Sequence, residues 1–499
     1  MLAMPRADLV PNTFDYECLP LVMPTGFREY DARWLFEKEI NLYGVQALGL
    51  GIGTLLHRRG VKPHIVTGHD FRSYSAAIKL ALITGLMNAG CTVYDIGLAL
   101  SPMAYFAQFA LDVPAVAMVT ASHNDNGWTG VKMGLDRPLT FGPTEMTALK
   151  EIVLGGDWET RSGGALLHVG DIAQRYTEDL VNGRALSRPL KVVIACGNGT
   201  AGAFAPDVFA KIGCEVIPLD CELDHSFPRY NPNPEDMNML HAMAEAVRAS
   251  GADVALGFDG DGDRCGVVDN EGHEIFADKM GVLLAREISA HHPAASFVVD
   301  VKSTGLFHTD PVLLRNGATT EYWKTGHSYM KQRTRETKAI AGFEKSGHYF
   351  LQAPYGRGYD DGLASGILIC EMLDRAPGKT LADLYRDLPR TWSTPTMSPH
   401  CSDTAKYGIV DQATRHYQRL AEDGGKAAGE TITSLVTVNG IRITLADGTW
   451  GLIRASSNKP ELVIVCESPI SEARMRDMFS EIRGHLAAYP EVGAYNQTI

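Results

Sequence analysis

The 499-residue sequence is short of basic charge, with 46 Lys and Arg against 59 Asp and Glu and a formal net charge of −13. A chain of that sign lacks the field that holds nucleic acid non-specifically. Long apolar runs are missing too. The longest, Val45 to Leu56, is interrupted by Gly49, Gly51 and Gly53 and falls short of the roughly 18 residues a membrane span needs. No basic segment followed by an apolar stretch opens the chain, so no secretory leader is expected. Nine cysteines, odd in number and without a CxxC pair, exclude a disulfide scaffold and argue against a zinc knuckle. The GxxxxGK(S/T) phosphate loop is also absent, which disfavours a P-loop ATPase or kinase. Together these absences predict a reduced, cytoplasmic protein with neither membrane nor nucleic-acid partner. What is present is ordinary globular usage, 45% hydrophobic and 21% charged. That length is enough for about three or four domains.

The periodicity is that of an α/β protein, and it recurs. Residues 61–70 read as a strand, Ser75 to Asn88 as a helix closed near Gly90, and 91–96 as a second strand. Pro102 to Leu111 follows as a helix, then a strand over 114–119 that runs into TASHN. The order returns over 190–258, where KVVIAC, a Gly-rich turn, a helix and CEVIPLD precede a helix from about Asp236 to Ser250. In that helix Met239, Met243, Ala246 and Val247 form one apolar face, with Gly251 as the cap, before ADVALGF ends in DGDGDR. A third pass over 296–342 ends KAIAGF in EKSGH. The fold class is therefore α/β, in three related βαβαβ units with mixed sheets. Each unit delivers a polar loop at the carboxyl end of its last strand, where open α/β sheets bind ligands. Pro389 to Asp403 reads as a linker. A helix near 410–421, strands around 431–438, 440–445, 449–455 and 461–466, and a helix from Glu472 form a smaller C-terminal α+β domain.

Asp259, Asp261 and Asp263 alternate on a glycine-loosened loop and can turn their oxygens onto one hard cation such as Mg²⁺. A plain Asp-Gly hairpin would need neither the third Asp nor Arg264. An EF-hand would need Gly where Arg264 stands and Glu where Asn270 stands. Ser122 offers a hydroxyl at a strand end, suited to a nucleophile or phosphoryl carrier, although a polar turn also fits that segment alone. His123 beside it is not assigned as its base, because sequence neighbours seldom face each other. Arg454, Ser456, Ser457 and Asn458 suit a phosphate dianion, or equally a solvated hairpin. Glu344, Ser346 and His348 are a mixture that polyol hydroxyls want, although a polar loop would look the same, and Lys302, Lys324 and His327 stand at matching strand ends. One rival motif is Gly197-Asn198-Gly199-Thr200-Ala201-Gly202 with Asp220 after the next strand, a GxGxxG pattern that would serve a nucleotide-dependent dehydrogenase. It explains none of the other loops, and its glycines read as tight strand-to-helix packing.

With TASHN, DGDGDR, EKSGH and RASSN in that order, the sequence resembles the α-D-phosphohexomutase superfamily. FREYDAR (27–33), KVVIACGNG (191–199), DVKST (300–304) and WKTGHS (323–328) place it nearest the bacterial phosphomannomutase/phosphoglucomutase group. The resemblance runs from about Phe27 to Glu467. It implies four domains around a central cleft: 1–170 with a phosphoserine loop, 171–274 with the metal loop, 275–390 with sugar recognition, and 391–499 with phosphate binding. It implies a phosphoserine at Ser122, a general base at Lys132 with a lowered pKa, and support of the transferring group by Arg33, His123 and Arg264. Ser122, Asp259, Asp261 and Asp263 would hold Mg²⁺. Substrate contacts would come from Tyr30, Lys302, His327, Glu344, Ser346, His348, Arg454, Ser456, Ser457 and Asn458. The implied activity is a Mg²⁺-dependent interconversion of hexose 1- and 6-phosphates, of mannose, glucose or both. Glucose or mannose 1,6-bisphosphate would be intermediate and activator, and the partners are small hexose phosphates, for a monomer or a dimer. A phosphoglucosamine mutase is the alternative within the superfamily. The sequence departs from the usual pattern at Trp34, His69 and Asp125, and in the residues after Ser456.

Overall fold

The computed structural model describes residues 2–457 and 459–498. Its first sheet contains β1 (Ala32–Leu35), β2 (His64–His69), β3 (Thr92–Leu98), β4 (Ala115–Val119), β5 (Trp128–Gly134) and β6 (Ala165–His168), in the order β1-β5-β4-β2-β3-β6. Ile65 of β2 faces Val93 of β3 on one side and Ala115 of β4 on the other, all parallel. β5 returns antiparallel to β4 and sets Lys132 opposite Met118. On β1, alternation sends Arg33 and Trp34 to opposite faces. Trp34 is buried, stands edge-on to Phe27 and donates from Nε1 to the Met23 carbonyl at 2.8 Å. It is a core residue, so this departure from the usual pattern leaves Arg33 on its own face.

The glycine-broken run forms the buried helix α1 (Leu42–Arg58), which packs on α2 (Ser75–Asn88). A Cβ at Gly49 would stand 2.3 Å from the Leu82 carbonyl, and one at Gly85 2.1 Å from that of Gln46. The two backbones therefore touch at a crossing that only glycine permits, which offsets the helix cost of about 1 kcal/mol per glycine. Helix α3 (Ser101–Ala110) covers β4.

The second sheet joins β7 (Lys191–Ala195), β8 (Glu215–Leu219), β9 (Val254–Phe258), β10 (Cys265–Asp269) and β11 (Glu274–Ile275) in the order β11-β10-β9-β7-β8. Helix α4 (Met237–Ser250) is capped by the Asp236 side chain and ended by left-handed Gly251. Its residues Met239, Met243 and Val247 are buried, with Ala246 partly buried against the same core. The third set, β12 (Ser296–Asp300), β13 (Thr319–Trp323) and β14 (Ala341–Phe343), is parallel with β12 central, and α5 (His327–Thr337) precedes β14. In all three sheets the first three parallel strands in sequence lie second-first-third, so the carboxyl ends of the first and third are neighbours.

Two compact units result. One comprises residues up to Ala277 together with Ser346–Ala382, which carries helix α6 (Gly362–Asp374). The other comprises Asp278–Lys345 and the residues from Asp383 onward. In the latter, β15 (Trp392–Ser393), β16 (Lys426–Ala427), β17 (Glu430–Val436), β18 (Ile441–Leu445), β19 (Trp450–Ala455) and β20 (Leu462–Ser468) form a sheet in the order β15-β20-β19-β18-β17-β16. Helices α7 (Lys406–Glu422) and α8 (Glu472–Leu486) pack on it. The expected linker at 389–403 is no linker beyond exposed Pro389 and Arg390. β15 pairs with β20, Met397 bridges Ile464, and Met397 and Cys401 join the domain's core. The prolines that suggested a loop sit on a sheet edge, where a missing N–H is tolerated.

Glu467 of β20 is 2% exposed and fully engaged. Its Oε1 accepts from the Gly305 N–H (2.8 Å), Thr304 Oγ1 (2.9 Å) and Trp450 Nε1 (3.0 Å). Its Oε2 accepts from Lys279 Nζ (2.6 Å) and Thr391 Oγ1 (2.9 Å). Burial opposes its ionisation, but Lys279 and these donors outweigh burial and hold the carboxyl near 2, against 4.5 ordinarily. A depressed carboxylate contributes stability above pH 4.5 that is lost as pH falls toward 2, in all about 3 kcal/mol. Glu467→Gln should therefore destabilise the protein by about that much at pH 7, with the gap closing below pH 3. Urea melts at both pH values check this, and a gap independent of pH would contradict it.

Candidate active site

The loop after β4 turns sharply. Ser122 is 1% exposed and adopts φ 50°, a left-handed conformation that costs a side-chain-bearing residue about 1–2 kcal/mol. That turn swings the hydroxyl back into the protein, where Ser122 Oγ donates to Asp259 Oδ2 at 2.8 Å. It also brings Ser122 Oγ within 3.3 Å of His123 Nδ1, so here sequence neighbours do face each other. Burial, then Arg264 and Arg33, push the His123 imidazole well below its ordinary range, so it is neutral.

Asp259, Asp261 and Asp263 lie on the hairpin between β9 and β10, whose register puts Phe258 opposite Cys265. The hairpin and the carboxylate cluster are thus one object. All three side chains are fully buried, with an oxygen of each within 4.8 Å of the others. Asp261 Oδ1 and Asp263 Oδ1 have no hydrogen-bond partner among the described residues. Burying carboxylate oxygens without partners is costly, and an all-oxygen donor set of this charge fits a hard divalent cation. Gly260 lets the hairpin approach Ser122, because a Cβ there would stand 2.4 Å from the Ser122 carbonyl.

The charges are unevenly satisfied. Burial, then Asp261 and Asp263, push the Asp259 carboxyl up to about 7. For Asp261 burial also opposes ionisation, but Lys132 and the Ser101 hydroxyl (2.6 Å) overcome it and hold the carboxyl far below its usual range. Lys132 Nζ donates to Asp261 Oδ2 at 2.7 Å and to Asp263 Oδ2. The expectation of a lowered lysine pKa is therefore corrected. Burial does lower it, yet the Asp261 and Asp263 carboxylates in direct contact raise it further. Arg33 did not supply the dominant field, because it is anchored by Asp31 Oδ2 and Asn124 Oδ1, both at 2.9 Å.

Arg264 donates from Nε to His348 Nε2 at 3.0 Å and from Nη1 to Glu235 Oε2 at 3.2 Å, and its Nε lies 3.7 Å from Asp259 Oδ2. His348 Nδ1 stands 2.9 Å from Asp360 Oδ2 and 3.6 Å from Asp263 Oδ1. Ser122, His123, Lys132, the three aspartates, Arg264 and His348 are thereby one continuous set of contacts, and Arg33 joins through Asn124. Tyr30, buried, and Ser346, half-buried, belong to the same unit.

Lys302, His327, Glu344, Arg454, Ser456 and Ser457 belong to the other unit. There Asp300 gathers three strand ends. It accepts from Ser303 Oγ (2.6 Å), Thr325 Oγ1 (2.9 Å) and the Lys345 N–H (3.2 Å), with Lys302 Nζ at 3.7 Å. Glu344 accepts the Gly326 N–H at 2.5 Å, beside buried His327. Arg454 is 5% exposed, and its Nε has no hydrogen-bond partner among the described residues. Lys406 Nζ ties the following turn by donating to the carbonyls of Ser456 (2.5 Å) and Lys459 (2.9 Å). Asn458 lies outside the described residues. The sequence reading missed Arg72, Ser101, Glu235, Asp360, Lys406 and Arg442. Asp70 alone carried a signal it could have used, since it ends β2 beside TASHN.

The GNGTAG segment is filled by protein. A Cβ at Gly202 would stand 2.1 Å from the Cys221 carbonyl, and Thr200 Oγ1 accepts the Phe71 N–H at 2.9 Å. Asp220, the would-be ribose acid, instead pairs with Arg229 at 2.9 Å and accepts from Tyr230. The dehydrogenase reading falls on this packing.

Known proteins agree. The sequence matches the phosphoglucomutase/phosphomannomutase alpha/beta/alpha domains I, II and III over residues 24–160, 174–272 and 276–392. It is 34% identical over 464 residues to the phosphomannomutase/phosphoglucomutase of Pseudomonas putida, covering 92% of this chain and 96% of that protein. It is 30% identical over 458 residues to the phosphoglucomutase of Neisseria gonorrhoeae, covering 91% and 96%. The crystal structure of a phosphoglucomutase/phosphomannomutase family protein from Burkholderia thailandensis superposes with a TM-score of 0.84 at 31% identity, over 95% of this chain and 99% of that one. With three α/β domains, a distinct C-terminal α+β domain and a buried carboxylate triad, the chain belongs to the phosphoglucomutase/phosphomannomutase family, isomerases that interconvert hexose phosphates.

Proposed function

We propose that this chain interconverts the 1- and 6-phosphates of mannose and glucose through a phosphoserine at Ser122 and a hexose 1,6-bisphosphate intermediate. The observation that carries this reading is the buried Ser122 hydroxyl donating to Asp259 within an aspartate triad that has oxygens to spare. Ser122, Asp259, Asp261 and Asp263 would hold Mg²⁺. When bound, the ion supplies charge stabilisation to the transferring phosphoryl group. The chain's own residues do the rest. Ser122 Oγ carries the phosphoryl group and gives it to a sugar hydroxyl: the Oγ–P bond breaks as the sugar O–P bond forms, and the hydroxyl's proton ends on Ser122 Oγ. The bisphosphate then presents its other phosphate, and the same exchange in reverse returns a phosphoryl group to Ser122 and a proton to the sugar oxygen. Arg264 and Arg33 neutralise the equatorial oxygens, and neutral His123 stays within reach of Oγ. Lys132 keeps the metal loop's charge balanced against β5.

In the second unit Glu344 would read sugar hydroxyls, with Lys302 and His327 beside it. Arg454, Ser456, Ser457 and Asn458 would clamp the non-reacting phosphate. We assign the phosphoserine, metal, sugar and phosphate roles to residues 1–170, 171–274, 275–390 and 391–499 in turn. Mannose and glucose differ at C2, so a loop that reads other hydroxyls accepts both. No helix of the described residues is long and apolar enough to cross a membrane, and a cytoplasmic location is part of the same proposal.

The test is to incubate the protein with Mg²⁺, glucose 1-phosphate and a trace of the bisphosphate. Glucose 6-phosphate should accumulate with no free phosphate, a chelator should stop it, and mannose 1-phosphate should also be converted. Stoichiometric phosphate release would make this a phosphatase and overturn the proposal.

A further inference from the structure

The Ser122 turn is not held by its own hydrogen bonds alone. We infer that Arg72, braced by Asp70, is the positioning residue that sets the reactive geometry of both Ser122 and Arg33, an inference that rests on the phosphoserine reading above. Arg72 and Asp70 form an ion pair whose side chains are 1% and 0% exposed. Arg72 Nη1 goes to Asp70, and its Nη2 donates to the carbonyls of Ser122 (3.0 Å) and Asn124 (2.7 Å). Asp70 Oδ2 takes the Ala121 N–H (3.1 Å) and faces the Thr120 hydroxyl (3.0 Å), which in turn accepts the Ser122 N–H (2.8 Å). Asp70 Oδ1 is fixed by the Ser75 hydroxyl at 2.6 Å.

The pair therefore grips the turn on both sides of its left-handed residue, N–H groups by the carboxylate and carbonyls by the guanidinium. The second carbonyl matters as much as the first. Asn124, whose backbone Arg72 holds, is the residue whose Oδ1 anchors Arg33 Nη1 at 2.9 Å. One planar guanidinium thus fixes the phosphoryl carrier and one of the cations that meets its cargo. It does so from behind the loop, through backbone, with its own face over the Phe227 ring at 5.7 Å. A lysine keeps the charge, but its three donors sit on one nitrogen at the end of a flexible stem and do not reproduce the separate Nη1 and Nη2 that reach Asp70 and the two carbonyls.

Arg72→Lys tests this. With both the nucleophile and Arg33 displaced, kcat should fall roughly 10²-fold while KM for glucose 1-phosphate moves less than about threefold. Thermal melts measured alongside separate this from a merely structural role, which would lower the melting midpoint and leave kcat per folded chain at the wild-type value. That last result overturns the inference. Should Arg72→Lys fail to fold, Asp70→Asn decides, with the same fall in kcat expected and a wild-type kcat overturning it. Ser122→Ala run in parallel keeps the two readings apart. Full turnover in Ser122→Ala defeats the phosphoserine reading, whereas an inactive Ser122→Ala beside a fully active Arg72→Lys defeats only this one.

Discussion

Ser122→Ala should lose turnover by roughly 10⁴-fold or more, since removing a covalent carrier leaves only binding and electrostatic contributions. The loss should be clean. Alanine keeps a Cβ at φ 50°, and the turn is gripped through its backbone by Asp70, Arg72 and Thr120 rather than through the seryl hydroxyl. The unfolding midpoint should therefore move by no more than about 1 kcal/mol of stability. Ser122 is one of the four proposed Mg²⁺ ligands and the three aspartates are untouched, so Mg²⁺ should still raise the melting temperature of the variant, though by less than in the wild type. Turnover with glucose 1-phosphate and bisphosphate, together with melts with and without Mg²⁺, gives all three results. A variant that lost activity and was also destabilised by much more than about 1 kcal/mol in the absence of metal would indicate a collapsed loop instead of a missing carrier.

Lys132→Met should produce the second large effect, and its size should depend on metal. Lys132 is 3% exposed and is the cation that contacts both Asp261 and Asp263. Without it three buried carboxylates face one another, with Arg264 3.7 Å from Asp259 and His348 Nδ1 3.6 Å from Asp263 as nearby partners. Breaking a buried pair by removing one partner costs about 3–5 kcal/mol. In chelator the variant should be destabilised by about that much, and saturating Mg²⁺ should restore most of it, because a divalent cation neutralises the same carboxylates. Denaturant melts in chelator and in Mg²⁺ read the difference. An equal loss in both conditions would mean that Lys132 acts through packing alone. Turnover should fall as well, since the loop that Lys132 holds also receives the Ser122 hydroxyl.

Much of this was legible before any coordinates. Helix α2 spans Ser75 to Asn88 as its pattern requires, and α4 starts after Asp236 and stops at Gly251. These elements carry their signals locally, in caps and in apolar spacing. DGDGDR and TASHN were legible for the same reason, as polar loops at predictable strand ends. What stayed hidden was tertiary. Arg72 matters because its guanidinium meets carbonyls 50 and 52 residues away, a relation with no spacing signature. Arg442 is likewise invisible in sequence. It lies between the Tyr322 and Trp450 rings and donates to the carbonyls of Val301 and Ser303, both at 2.7 Å, thereby fixing the loop that bears Lys302. The segment 389–403 was misjudged because proline and serine mark sheet edges as readily as linkers. The direction of the Lys132 shift is not legible in the sequence because it is set by carboxylates 129 and 131 residues away.

The central claim is that phosphate passes through Ser122. The most direct measurement is to incubate the protein with Mg²⁺ and glucose 1,6-bisphosphate labelled in its phosphates, remove excess ligand, and map the label by peptide mass spectrometry. One phosphate per chain should be found on Ser122, and it should leave when glucose 1-phosphate is added, reappearing in the bisphosphate. A chain that converts glucose 1-phosphate while Ser122 stays unlabelled, or whose label sits on another residue, would contradict the account.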